Sequence, residues 1–260
     1  MRLRHGMALI CLALTLSGCA YFDNKAFQQA QQQHTEAAYQ HYMKEYPQGR
    51  HMAKAERCVD KLAYDHACKV NTYQAYEAYL EDHSDGGYAD QAEQLAKVRR
   101  EEKYRSCAGK AKEYTRSYRW DLAIAAWKQA TAVIDKEEAR DAIGQCEYNR
   151  DNPVQLVDYT VRGNFRYDLR DPDTIPYTHR LRVRGELHNL SPRPVTSITL
   201  SLKLYWVAIA DAKAETTYFT VLTNRTITPG QTARFDASVK VGYAHELMGQ
   251  KVDVVSHESR

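Results

Sequence analysis

Long apolar runs are almost missing from this chain. The one candidate, Met7 to Leu16, covers about ten residues, half of the roughly 20 that a membrane-spanning helix needs. A multi-span membrane protein is therefore excluded. Glycine and proline are scarce, 12 and 7 in 260 residues, while tyrosine reaches 19, which argues against a disordered or low-complexity chain. Excess charge of one sign is also missing: 36 basic against 33 acidic residues leave a net charge of +3, too little for a nucleic-acid binder. No GxxxxGK[ST], GxGxxG, GxSxG or HExxH occurs, and the ten histidines are scattered. The reading is a non-enzyme without cofactor or metal, with room for one large domain or two ordinary ones. An enzyme using an unmarked carboxylate pair, a hydrolase, is the rival class.

The first residues read as an address. Arg2 and Arg4 precede the short apolar run, and Leu16-Ser17-Gly18-Cys19 follows it. Small residues before a cysteine resemble the lipobox of bacterial lipoproteins. That resemblance implies a signal peptide over 1–18, removed on export, and a diacylglycerol on the Cys19 thiol. The membrane is then a partner through covalent lipid. Several acyl chains anchor stably, at about 0.8 kcal/mol per buried CH₂. Ala20 stands where such families carry an inner-membrane Asp, so the expected location is the bacterial outer membrane, facing the periplasm. Loss of the two arginines leaves 34 basic and 33 acidic residues, so global electrostatics steer little.

Apart from Cys11 in the apolar run and Cys19, four cysteines remain, Cys58, Cys68, Cys107 and Cys146, all in the first 150 residues. An even count in an exported chain predicts two disulfides, with three connectivities possible. Cys58 and Cys68 share a predicted helix, about 15 Å apart at 1.5 Å per residue, too far to bridge. Each is expected to pair with Cys107 or Cys146. Cys58, His66 and Cys68 are a conceivable metal set, but no CxxC or HxxxH spacing supports it.

A repeat organises the first half. Tyr39, Tyr42, Gly49, Ala55 and Glu56 recur as Tyr76, Tyr79, Gly86, Ala92 and Glu93, each at an offset of 37. Tyr46-Pro47-Gln48-Gly49 and His83-Ser84-Asp85-Gly86 read as turns. Before each turn, Tyr39/Tyr42/Tyr46 and Tyr76/Tyr79/His83 fall on one helix face; longer helices follow at about 51–70 and 88–108. Asn71 with Gln74 reads as a start signal for the second unit. The Gln28–Gln33 segment is either a tether from the lipid or, by preference, a helix capped by Asp23. A third unit places Ala123, Trp127 and Ala130 on one face, with Ala111 and Tyr114 upstream. Asp135 and Glu138 form a capping-box pattern before a last helix at about 136–149, which Pro153 stops.

These units resemble tetratricopeptide-like outer-membrane lipoproteins, whose "Tyr…Tyr-Pro-x-Gly…Ala-Glu" unit recurs. The resemblance implies an α-solenoid over about 35–150, after an anchor and tether or first helix over 19–34, with a face suited to a protein partner. Tyr39, Tyr42, Tyr76 and Tyr79 are candidate partner contacts; inter-helix core is the competing and preferred reading of the same spacing.

From Val154 the period changes to two. Leu181, Val183, Gly185 and Leu187 alternate with Arg180, Arg182, Arg184 and Glu186; Ile198 to Trp206 and Phe235 to Val241 alternate likewise. With 154–161, 163–170, 217–224 and 251–255 this predicts seven strands, an immunoglobulin-like antiparallel β-sandwich over 152–260. Thr228-Pro229-Gly230 reads as a type II turn. Gly185 to Asn189, Leu202 to Trp206 and the Pro229-Gly230 turn resemble the FxLYD family of extracytoplasmic sandwiches, with Leu202 and Trp206 departing from its pattern. That resemblance implies a binding or structural module and no active site. Arg180, Arg182 and Arg184, with Arg162, Arg166 and Arg170 upstream, are candidates for an anionic partner; a solvated strand face is the plainer alternative.

The whole reads as a multidomain α + β chain: a lipid-anchored, non-catalytic scaffold that binds protein partners of a cell-envelope complex through its helices. The alternative is a cell-wall or polysaccharide binder using the β-sandwich. Metabolic labelling with a fatty-acid analogue is expected to mark the chain and to vanish in Cys19→Ser. Label persisting on that variant would remove the anchor.

Overall fold

The computed structural model describes residues 20–163, 180–208, 211–222, 225–241 and 247–259. It mixes helices and antiparallel sheets and divides into two compact units, Met1–Arg105 and Ser106–Arg260. The change from helix to strand at Asn152 falls inside the second unit.

The first unit contains α1 (20–33), α2 (Glu36–Glu45), α3 (Met52–Val70), α4 (Tyr73–Asp82) and the start of α5 (Ala89–Arg116). The 37-residue offset holds here atom by atom. The Tyr42 hydroxyl donates to Asp23 Oδ1 at 2.5 Å, and the Tyr79 hydroxyl to Asp60 Oδ1 at 2.5 Å. The second oxygen of each carboxylate accepts a backbone N–H, Arg50 at 3.0 Å and Gly87 at 2.8 Å. Phe27 meets Tyr42 edge-on and stacks on His51 at 4.5 Å; Tyr64 meets Tyr79 edge-on and stacks on Tyr88 at 4.6 Å. Each copy has its own apolar cluster, Phe27/Tyr39/Tyr42/Val59 and Tyr76/Tyr79/Ala92/Ala96.

Local chemistry sets the helix ends. Thr35 and Thr72 cap α2 and α4, their hydroxyls accepting Ala38 N–H at 3.2 Å and Ala75 N–H at 3.3 Å. Asn71 does not start the second unit; it ends α3 in the left-handed conformation at φ 55°, a role Asn tolerates, and its Oδ1 accepts the Tyr76 hydroxyl at 3.0 Å. His34 takes the equivalent place at φ 48°, 3.1 Å from the Tyr39 hydroxyl. Asp23 is no cap either: it lies inside α1, which is already helical at residue 20, the first described residue, and it is buried. Asp135 pairs with Arg140 at 2.6 Å, and the last helix has Lys136 at its N-cap, with no side-chain capping hydrogen bond. The Gln28–Gln33 segment is helical.

Among the described residues the second unit contains the end of α5, α6 (Trp120–Val133), α7 (Glu137–Asp151) and six strands. The strands are β1 (Val154–Arg162), β2 (Arg180–Asn189), β3 (Val195–Ala208), β4 (Asp211–Val221), β5 (Thr232–Lys240) and β6 (Leu247–Ser259). Ala111, Ala123 and Ala130 are fully buried, and their small side chains let α5, α6 and α7 approach. The strands form two antiparallel sheets, ordered β1-β2-β5 and β4-β3-β6. Leu181, Val183 and Leu187 from one and Ile198, Leu200, Leu202 and Leu204 from the other enter one apolar core. β4 and β6 run longer than their alternation predicts; both are edge strands, whose outward residues can be polar throughout. Of the predicted strand at 163–170, residues 164–170 lie outside the described residues.

A polar corner ties helices to sheets within this unit. Asn189 is fully buried, donates from Nδ2 to the carbonyls of Arg193 and Ile227, both at 2.8 Å, and accepts Ser191 N–H at 2.8 Å. Next to it, Leu190 donates its N–H to Pro153 O at 2.7 Å and accepts the Trp120 indole N–H at 2.7 Å. The turn at Thr228–Gln231 closes with a 3.0 Å bond, and Gly230 sits at φ 74°, as a type II turn requires. Tyr118 lies against Gly230, where a side chain would collide with its hydroxyl.

Gly49 is a direct test of the repeat. A Cβ there would stand 2.5 Å from the Tyr42 hydroxyl and 2.6 Å from Asp23 Oδ1. Gly49→Ala is expected to lower stability by about 1–3 kcal/mol through overpacking. Gly109→Ala, in α5 with open space around it, is expected to raise stability by about 0.5–1 kcal/mol. Urea unfolding of the two variants reads the difference in sign.

Candidate functional site

The tyrosines come first. Tyr39, Tyr42 and Tyr76 are 2% exposed and Tyr79 4%, so all four belong to the inter-helix core and none presents a ring to a partner. Burial, and then the hydrogen bond to Asp23, push the Tyr42 phenol up to about 12; the same causes with Asp60 raise Tyr79. These hydroxyls are therefore fixed donors that neutralise buried carboxylate lone pairs. The second copy has His83 in place of Tyr46, yet both rings do one job: Tyr46 stacks on Tyr42 at 5.7 Å and His83 on Tyr79 at 5.2 Å. The matching roles of Asp23 and Asp60 escaped the sequence reading, because Asp23 reads as a helix cap and Asp60, inside a polar helix, reads as part of a solvated face. Extending the 37-residue comparison upstream of Tyr39 would have aligned them.

The predicted disulfides are not made. Cys58, Cys68, Cys107 and Cys146 are free. Cys58 packs on the cluster of the first repeat and Cys68 on that of the second, as apolar filling. Cys146 sits 3.7 Å from the Thr115 hydroxyl oxygen, and burial raises its thiol pKa, which makes it a poor nucleophile. Among the described residues no group of three or more His, Cys, Asp or Glu could hold a metal ion, and Cys58, His66 and Cys68 form none.

Arg180, Arg182 and Arg184 do line the exposed face of β2. Two of them are already engaged. Arg182 grips Asp236 with two bonds, 2.7 and 2.6 Å, and Arg184 adds a third at 2.9 Å. These cations hold the Asp236 carboxyl down at about 2. Glu186 meets Arg234 at 3.4 Å. Arg162 stands across from Arg182 in the β1–β2 register, while Arg166 and Arg170 lie outside the described residues. The strand pattern contains this pairing, since Asp236 falls between inward Phe235 and Ala237, but only the β2–β5 register reveals it.

A cleft of about 940 Å³ opens beside this face, lined by Asp158, Glu186 and Asp236 together with Phe219, Leu222 and Phe235. Its carboxylates are the place to look for paired acid–base chemistry. Asp236 does not suit the acid of such a pair: a carboxyl held near 2 by two arginines stays ionised at neutral pH and is a weak base. Gly185 forms the floor with Phe235, whose ring lies where a Cβ would come within 2.7 Å.

Cys19, the lipidation candidate, lies outside the described residues. No described helix is long and apolar enough to cross a membrane. No family model matches the chain, and no curated protein matches it. Among solved structures it is similar to the Salmonella enterica trimeric lipoprotein SadB at 12% identity, over 70% of this chain and 96% of that one, with a TM-score of 0.23. A likeness at that score carries no argument.

The arginine grip makes a pH prediction. Asp236 titrates from 3.8 in the unfolded chain to about 2 in the fold, so its stabilising contribution is present above pH 3.8 and lost as pH falls through about 2. Carboxyl carbon NMR should place the Asp236 midpoint near 2. In Arg182→Gln/Arg184→Gln it should return toward the ordinary aspartate value.

Proposed function

We propose that the chain is a non-catalytic, lipid-anchored scaffold on the periplasmic side of the bacterial outer membrane. On this reading Cys19 carries the lipid, stacked helix pairs form a tetratricopeptide-like solenoid that binds proteins of an envelope complex, and the two sheets form an immunoglobulin-like sandwich. The observation that supports it most is the repeated Tyr–Asp–Gly unit. Two copies with the same bonds at the same offset are what stacked modules need, because each helix pair buries its apolar stripe only against a neighbour. The lipobox resemblance at Cys19 supports the anchor. With the tyrosines committed to the core, partner recognition falls to the exposed helix surfaces and to the shape of the stack.

A second reading, polysaccharide binding, draws on the outer face of β3 and β4. Tyr205 and Tyr218 are exposed there, Lys203 lies over the Tyr205 ring, and Thr216 stands across from Lys203. Exposed rings and hydroxyls suit a sugar.

Crosslinking and mass spectrometry in intact cells decide between the readings. The scaffold reading expects lysines of residues 35–150 in crosslinks to one defined envelope protein. No protein crosslink, with retention on peptidoglycan lost in Tyr205→Ala/Tyr218→Ala, would replace it by the second reading.

A further inference from the structure

The start of α1 carries an exposed aromatic pair. Tyr21 is 64% and Phe22 59% exposed, and their rings meet edge-on with centroids 5.6 Å apart. Single exposed apolar residues need no explanation; two adjacent exposed rings on one helix do. The same stretch places its acid inward. Asp23 is buried on Tyr42, Asn24 is hydrogen-bonded to His51 at 2.6 Å, and Lys25 is exposed. From Ala20 to Thr35 there is no other carboxylate. The outward surface of α1 thus offers rings and a cation and no exposed anion.

Distance from the anchor selects what these rings meet. Two Cα steps of about 3.8 Å put Tyr21 within about 8 Å of Cys19, and Phe22 within about 11 Å. On the lipoprotein reading above, an acyl-glyceryl group on Cys19 sits at the edge of the hydrocarbon layer. Residues that close to it rest among the headgroups, where amphipathic aromatic rings gain most and a Lys pairs with anionic lipid. We propose that Tyr21 and Phe22 insert into the bilayer interface beside the lipid on Cys19. They form a second, non-covalent contact that holds this stretch of α1 at the membrane surface.

The test uses the full mature, acylated chain in phosphatidylethanolamine–phosphatidylglycerol vesicles, with Phe22→Trp as a reporter and Tyr21→Trp as a second position. Signal from the unsubstituted chain is subtracted. Lipids brominated in the acyl chain are expected to quench the reporter by roughly half, with little quenching by aqueous iodide, as for rings seated in the interface. Iodide quenching without bromolipid quenching at both positions overturns the proposal. The mass of the same sample separates the two failures. An unacylated chain refutes the lipoprotein reading, whereas an acylated chain with water-exposed reporters refutes only the interface contact.

Discussion

A carboxylate buried inside a helix organises the first unit. An ionised acid out of water costs several kcal/mol unless its lone pairs are occupied. Asp23 solves this with one phenol and one backbone N–H, and the donors come from two separate places: Tyr42 in α2 and Arg50 in the following turn. A bond to a charged acceptor contributes about 1.5–3 kcal/mol, more than a neutral one. Three segments are thereby held at one point. The approach is so close that only glycine fits beside it, which is why Gly49 and Gly86 hold their places in the repeat. Rings may change between the copies as long as they stack, so Tyr46 exchanges with His83 and His51 with Tyr88.

The second unit meets the same problem with an amide. Asn189, at the end of β2, has no exposure and uses both donors and its acceptor on backbone groups. It holds the loops at Ser191–Arg193 and Ile227 in place. Leu190, its neighbour, then offers its carbonyl to Trp120 and its N–H to Pro153. The start of α6 and the residue that links α7 to β1 are thus hydrogen-bonded to the corner of a sheet. The apolar stripe of α6 and the core strands belong to one compact unit for this reason.

How legible was this from sequence? Periodicity located α3, α4 and α5 and the core strands, because buried Leu and Val alternate cleanly in β2 and β3. The Pro229-Gly230 turn and the 37-residue offset were also readable, since both depend on residue identity at fixed spacing. What stayed hidden involves groups whose meaning depends on a distant neighbour. Asp23 looks like a cap and Asp60 looks solvated until Tyr42 and Tyr79 reach them. Thr72 caps α4 one residue after the Asn71 that sequence reasoning preferred, because a left-handed C-cap and an N-cap can be adjacent. The cysteines read as bridges from their even count in an exported chain, whereas Cys58 and Cys68 fill two separate apolar clusters and Cys107 and Cys146 are buried free thiols.

The arginine strand shows how far a run of like charge can mislead. Arg182 and Arg184 with Asp236 carry a net single positive charge, and Glu186 with Arg234 carries none. Among the described residues Arg180 adds an unpaired cation to the face and Arg162 stands opposite Arg182, but beyond a Debye length of about 8 Å at physiological salt the field of these exposed charges is largely screened. The face can recognise an anion in contact but cannot steer one from solution. On the proposed function, long-range attraction would therefore be a minor part of how partners are found. A nearly neutral protein tethered to a surface gains encounters from restricted position instead, since confinement raises effective concentration without any field. On the proposed reading, a lipid on Cys19 and the interfacial rings would then contribute more to association than any charge on β2.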